Sequence, residues 1–277
     1  MRRTRGILPG FGLSLGTSIL YLTLLVLIPL AGVALRGATS HWEEIWRATT
    51  SPRAIASVRL SFTASIAAGA ANAVGGLLVA WVLVRYRFAG RSALDALVDV
   101  PFALPTAVAG LALTAVYAPD GWIGRWLLPL GVRVSYTPIG VWLAMTFVGL
   151  PFAVRTVQPV LADLDTHLEE AAAVLGANRL QAFVRVVFPT ILPAVLTGFT
   201  LAVARALGEY GSIVFISGNL PLRTEIAPLL IVSHLEQYDY SGATSLALVL
   251  LLASFGLLLS TNLLQRWSVR RLGPAAG

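Results

Sequence analysis

The chain has 277 residues, 57% of them hydrophobic and 12% charged, with a mean hydropathy of +0.79, which excludes an ordinary soluble domain and implies an integral membrane protein. Its formal charge of +7 rests on twenty arginines and no lysine, so there is no Walker A loop and no P-loop ATP hydrolysis by this chain. Zero Cys and three scattered histidines, His41, His167 and His234, remove disulfides, thiol nucleophiles and clustered metal ligands.

In chain order, Arg2, Arg3 and Arg5 precede an apolar run from about Phe11 to Leu35. At ~25 residues it is long enough to span and too long for a signal-peptide core, and it predicts a first transmembrane helix. Residues 36–58 are polar, and their Trp42 and Trp46 suit an outer interface. A second span is expected from Leu60 to Val84, where Gly69, Ala70, Ala71, Gly75 and Gly76 permit close helix approach. Arg85, Arg87 and Arg91 follow as an inner basic loop. The third span, Val98 to Ala118, contains Pro101, Pro105 and Gly110. Proline frees a carbonyl that a membrane tolerates only beside a partner or a wet cavity, so these prolines mark either a pathway lining or a packing kink.

Residues 119–137 form an outer loop with Trp122 and Trp126, and the fourth span, Pro138 to Val154, returns the chain inside at Arg155. A fifth span is expected from Thr190 to Ser217. An outer segment, 218–243, leads to a sixth span, Thr244 to Leu264, and then to Arg266, Arg270 and Arg271. The apolar stretch Ile226 to Leu235 is too short to cross. Six spans with both termini cytoplasmic place eleven flanking arginines inside against six outside, the bias of the positive-inside rule. These arginines sit at the ends of apolar runs, so membrane lipid headgroups account for them and nucleic acid is not an expected partner. The fold class is all-α integral membrane. The chain divides into a first span with its interfacial segment, 1–58, a transmembrane core, 59–264, carrying a cytoplasmic loop at 157–189, and a basic tail, 265–277.

That loop holds the longest polar island, Asp163 to Pro193. Thr166 followed by Glu169 reads as a capping box and starts a helix near His167. Glu169 and Glu170 oppose the positive end of its dipole, while Ala171, Ala172 and Ala173 give a thin, smooth surface. Gly176 is expected to close the helix in the left-handed conformation. A second helical run, Asn178 to Phe188, is expected to end at Pro189. So much local specification exceeds what a linker needs and reads as a docking element.

Other chemistry is sparse. Arg205 and Glu209 are four apart in the fifth span, hence on one helix face, and either charge unpaired in hydrocarbon would cost at least ~2.5–3.5 kcal/mol. They form either a mutual salt bridge that fixes packing or a site where Arg205 helps admit an anion, since a guanidinium matches tetrahedral oxyanions. Glu169 and Glu170 point about 100° apart on a helix and do not make an acid/base pair. No HExxH or GxSxG motif occurs.

At the island the sequence resembles the permease subunits of ABC importers. Their signature is matched by Glu170-Ala171-Ala172, Gly176 and Val186-x-Phe188-Pro189, with Val186 and Phe188 in place of Ile and Leu. Longer stretches, LVRYRFAGRSALDALVDVPFALPTAVAGL at 83–111, PFAVRTVQPVL at 151–161 and RALGEYGSIVFISGN at 205–219, are similar to the T-type permeases of sulfate/thiosulfate importers, with molybdate/tungstate permeases the close alternative. The resemblance implies a type I importer transmembrane domain in the inner membrane. It implies a W-type permease as partner, two ABC ATPase subunits that hold ATP and Mg, and a periplasmic sulfate- or thiosulfate-binding protein. It also implies a coupling role for Glu169, Glu170, Ala171, Ala172, Gly176 and Pro189, no cofactor or metal on this chain, and no enzymatic activity of its own. Arg205, Glu209, Pro101 and Pro105 are the expected pathway residues.

Overall fold

The computed structural model describes residues 11–39, 42–165 and 167–272, with side chains for 11–37, 42–165 and 167–263. Arg2, Arg3 and Arg5, His41, Thr166, the side chains of Arg266, Arg270 and Arg271, and the last five residues lie outside it. Every regular element among the described residues is helical. The first is α1, Phe11–Gly37, interrupted by a π-helical turn at Thr23–Leu27. A short interfacial helix, α2 (Trp42–Thr50), leads into α3 (Pro52–Arg85). Three pieces follow, α4 (Arg91–Val98), α5 (Val100–Ala103) and α6 (Thr106–Tyr117), and then α7 (Gly124–Leu127). The remainder comprises α8 (Pro138–Ala162), α9 (His167–Val174), α10 (Arg179–Leu207), α11 (Gly211–Ser217), α12 (Ala227–Glu236) and α13 (Tyr240–Leu272).

Five of these, α1, α3, α8, α10 and α13, are long and apolar enough to cross a membrane. The expected third span is instead broken. Leu104 precedes Pro105 and is forced into an extended conformation (ψ 133°), which stops α5 and restarts the chain as α6. The second span starts earlier than Leu60, because Ser51 caps it by accepting from the Ala54 amide (3.2 Å) and Pro52 fits the first helical turn. The fourth continues through Pro151 and Pro159 to Ala162, so Arg155 lies within a helix and not at its exit.

The fifth span is displaced at both ends. Asn178 and Gln181 form a reciprocal capping box that starts α10 at Arg179, and the helix does not end at Pro189. A proline ring normally collides with the carbonyl four residues earlier, here that of Arg185. That residue lies in a π-helical turn, Phe183–Val187, where the Phe188 amide bonds to the Phe183 carbonyl and the wider turn makes room. At its far end α10 stops at Leu207, so Glu209 lies in a break before α11 and not on the face of a continuous helix.

The core is the triangle of α3, α8 and α10. Among helices in lipid, packing depends on small residues that let backbones approach. Gly76 faces Ala153 so closely that an added Cβ would sit 2.7 Å from the alanine methyl, and one on Gly198 would lie 3.0 Å from the Ala153 Cα. Gly69 and Gly76 are buried seven residues apart on α3, whereas Gly75 has nothing within 4 Å of its Cβ position. One apolar cluster, including Leu83, Val154, Val157, Leu161, Val187 and Ile191, fills the end next to α9. A second, around Ala68, Val141, Met145, Ile213 and Ile226, fills the other end. The α13 helix packs on α10 and α12 and carries α1 and α2 on its flank. No residue in the apolar window of α1 is buried.

Candidate functional site

The α9 helix runs from His167 to Val174, as its sequence dictates. Thr166, and with it the expected capping box, lies outside the described residues, and the Asp165 carboxylate accepts from the His167 amide (3.0 Å) at the N-terminus. Glu169 forms an ion pair with Arg85 at the end of α3. Glu170 stays exposed and pairs with His167 across 3.2 Å. Ala171 and Ala173 are exposed and Ala172 is half-buried.

At the C-terminus Gly176 has φ +85°. Its amide donates to the Ala173 carbonyl (2.9 Å) and the Ala177 amide to the Ala172 carbonyl (3.0 Å), the two bonds of a Schellman closure. The closure turns the chain sharply and leaves Val174 and Leu175 at the tip, 87% and 88% exposed. Two adjacent aliphatic side chains therefore stand almost fully in solvent on a capped turn.

Behind that tip, α9 is tied to two membrane-crossing helices at once. Arg85 receives Glu169 and lies 5.4 Å over the Trp81 ring, and Trp81 meets Phe183 of the π turn edge-on at 5.3 Å. A charge-assisted bond thus joins α9 to α3, and an aromatic contact joins α3 to α10. Pro189 is half-buried, two residues past the π turn, so its place is in the body of α10. Arg85, Trp81, Phe183, Val174 and Leu175 escaped the sequence reading. Trp81 and Arg85 at i, i+4 on the last turns of a span were the available signal.

The broken helices meet on the other side of the core. A Cβ on Gly110 of α6 would collide with the Ser212 backbone, and one on Gly211 would collide with Thr106, so the breaks after Pro105 and after Leu207 pack together. Glu209 is 2% exposed and takes three bonds there: Arg205 Nη1 at 2.7 Å, and the Ser212 amide (2.9 Å) and hydroxyl (3.0 Å). Arg205 keeps 34% of its side chain exposed. Pro101, at the start of α5, is half-buried, and Pro105 is exposed.

Two further arginines form ion pairs that were not anticipated. Arg155 forks onto Asp99 (2.9 and 2.5 Å), bonds Asp95 at 2.5 Å and holds Gln158 at 2.6 Å, locking α4 and α5 onto α8. The Arg155 guanidinium holds the Asp95 carboxyl below the usual carboxylate range. Arg53 forks onto Glu225 with two bonds of 2.7 Å, and that carboxylate is fully buried. Asp95 and Asp99 at i, i+4 were legible as one face; their partner fifty-six residues on from Asp99 was not. No cluster of three potential metal ligands occurs among the described residues.

A family model, "binding-protein-dependent transport system inner membrane component", matches residues 72–274. The chain belongs to this family. It is 46% identical over 269 residues to the sulfate transport system permease protein CysT of Escherichia coli K12, covering 97% of each chain. It is 50% identical over 253 residues to the protein of the same name from Synechococcus elongatus, covering 91% of each. Among solved structures, a bacterial ABC transporter importing alginate superposes with a TM-score of 0.73 at 17% identity, over 91% of this chain and 93% of that one. At that identity the match speaks for the fold alone. This family member is thus an inner-membrane transport component.

Proposed function

We propose that the chain is the T-type membrane-spanning permease of an ATP-driven sulfate/thiosulfate importer. In this reading it pairs with a W-type permease, two ABC ATPase subunits bind ATP and Mg on the cytoplasmic side, and a periplasmic binding protein delivers the oxyanion. The sulfate assignment is supported by the relatives named sulfate permeases at up to 50% identity over nine-tenths of the chain.

The observation that carries the mechanical part is the α9 tip. Val174 and Leu175 project from a Schellman-closed turn, and Glu169, one helical turn behind them, is bonded to α3. When the ATPases close on ATP, a tip seated in a groove on one of them is displaced. Glu169–Arg85 and Trp81–Phe183 pass that displacement to α3 and α10, the helices that frame the core. Ala171 and Ala172 keep the seated face thin, Glu170 and Gly176 fix its two ends, and Pro189 sits where the π turn lets α10 flex. The meeting of the two broken helices near Pro101, Pro105, Arg205 and Glu209 lines the path, because irregular backbone at membrane depth persists where it borders protein or a wet cavity.

Co-purification and uptake test this together. The tagged chain is expected to bring down an ABC ATPase, and Leu175→Asp to lose it while still inserting. Uptake of labelled sulfate by cells relying on this chain should be competed by sulfate and thiosulfate. Competition by molybdate alone would overturn the substrate assignment, and transport without an ATPase would overturn the coupling.

A further inference from the structure

Beside α9, the last turns of α3 and the first turns of α10 enclose a groove of about 380 Å3. Its walls are Leu77, Leu78, Trp81, Leu180 and Phe183, and its one charge is Arg179. A second cavity of about 260 Å3 shares Trp81, Arg179 and Phe183 with it and reaches Glu169 and Ala173 of α9. Leu78 and Leu180 are 61% and 71% exposed, so the groove opens sideways onto the outer surface of the two spans.

The charges here are unequal. Glu169 and Arg85 neutralise one another, whereas the Arg179 guanidinium is exposed and has no side-chain partner among the described residues. An apolar channel between two spans that ends at an unpaired arginine beside a tryptophan has the composition of a headgroup site at a membrane boundary. A protein segment filling it would have to bring an acidic side chain as well as apolar ones; a lipid with a negative headgroup carries both in one molecule.

We propose that this groove binds an anionic phospholipid of the adjoining leaflet. One acyl chain runs along Leu77, Leu78 and Leu180, the phosphate sits on Arg179, and the headgroup enters the inner cavity against α9. So placed, the lipid touches the three helices whose relative motion the transport reading requires, and its occupancy biases how α9 moves against α3 and α10. Calling that leaflet cytoplasmic rests on the proposed function; the lipid contact itself does not.

The test reads lipid retention and needs no transport. The full chain, with whatever subunits accompany it, is purified in detergent, given phosphatidylglycerol or phosphatidylcholine of matched acyl chains, and weighed by native mass spectrometry. A preference of about fivefold for phosphatidylglycerol is expected, the equivalent of ~1 kcal/mol for one basic side chain at an anionic surface. Arg179→Gln should abolish the preference and Arg179→Lys retain it. A photoactivatable phosphatidylglycerol should mark peptides containing residues 77–81 and 179–183. Equal retention of both lipids, an unchanged preference in Arg179→Gln, or cross-linking of the groove to another subunit in place of lipid would each overturn the proposal.

Discussion

Replacing Gly176 perturbs the docking turn through backbone conformation alone. Its φ of +85° lies in the left-handed region, and a Cβ built there meets no atom within 4 Å, so no steric clash confuses the outcome. A Cβ in that region costs ~1–2 kcal/mol, and a β-branch stiffens the side chain further. If the chain escapes by leaving the region, it gives up the Gly176–Ala173 and Ala177–Ala172 bonds, about 1 kcal/mol each. By either route Gly176→Val costs about 2 kcal/mol, which at ~1.4 kcal/mol per decade lowers the population of the docking geometry roughly 30-fold. In proteoliposomes holding the assembled transporter, this variant should insert normally and keep basal ATP hydrolysis while sulfate uptake falls at least tenfold. Gly176→Ala should be intermediate. Gly176→Asn should lie near wild type, because asparagine tolerates the left-handed region. Full uptake by the Val variant, or an Asn variant as impaired as the Val one, would refute the argument that the turn matters through its φ.

Three other outcomes follow from the geometry. Arg205→Gln strands a carboxylate that is 2% exposed, so its folded yield should drop by an amount corresponding to about 3–5 kcal/mol, and adding Glu209→Gln should restore the yield. Uptake should stay low in that double variant if the exposed part of Arg205 meets the anion; recovered uptake would leave the pair a packing element only. Gly76→Val should lower the melting temperature in detergent through overpacking of about 1–3 kcal/mol against Ala153, while Gly75→Val should not, and equal effects would contradict the packing assigned to α3. Asp239 is held below the usual carboxylate range by the Gly242 amide first, with His234 and Ser241 adding to it. The stability it gives to the start of α13 is therefore full above the unfolded carboxylate pKa near 4 and is lost as pH falls through the lower folded value. Protection of the amides of residues 240–244, measured against their intrinsic exchange rates at each pH, should fall below about pH 4 in the wild type, and Asp239→Asn should remove that dependence.

The sequence by itself determined the solvent, the fold class and the local form of α9. Apolar run length identifies the spans because a bilayer leaves each backbone to satisfy its own bonds. Gly176 in its left-handed turn was legible because only glycine enters that region freely, and Glu170-Ala171-Ala172 because propensity and charge act within one turn. Pro105 was legible as a disruption, though not as a complete break. The Arg205–Glu209 pair was legible from its spacing, but the tertiary structure alone decided the long-range pairs. Glu169 bonds to Arg85, eighty-four residues away; Arg155 collects Asp95 and Asp99; Glu225 finds Arg53. Pro189 survives inside α10 only because a π turn precedes it. Buried charge in a low dielectric must be matched by whichever partner the fold brings within hydrogen-bond reach. That partner is a property of helix packing, which local spacing does not encode.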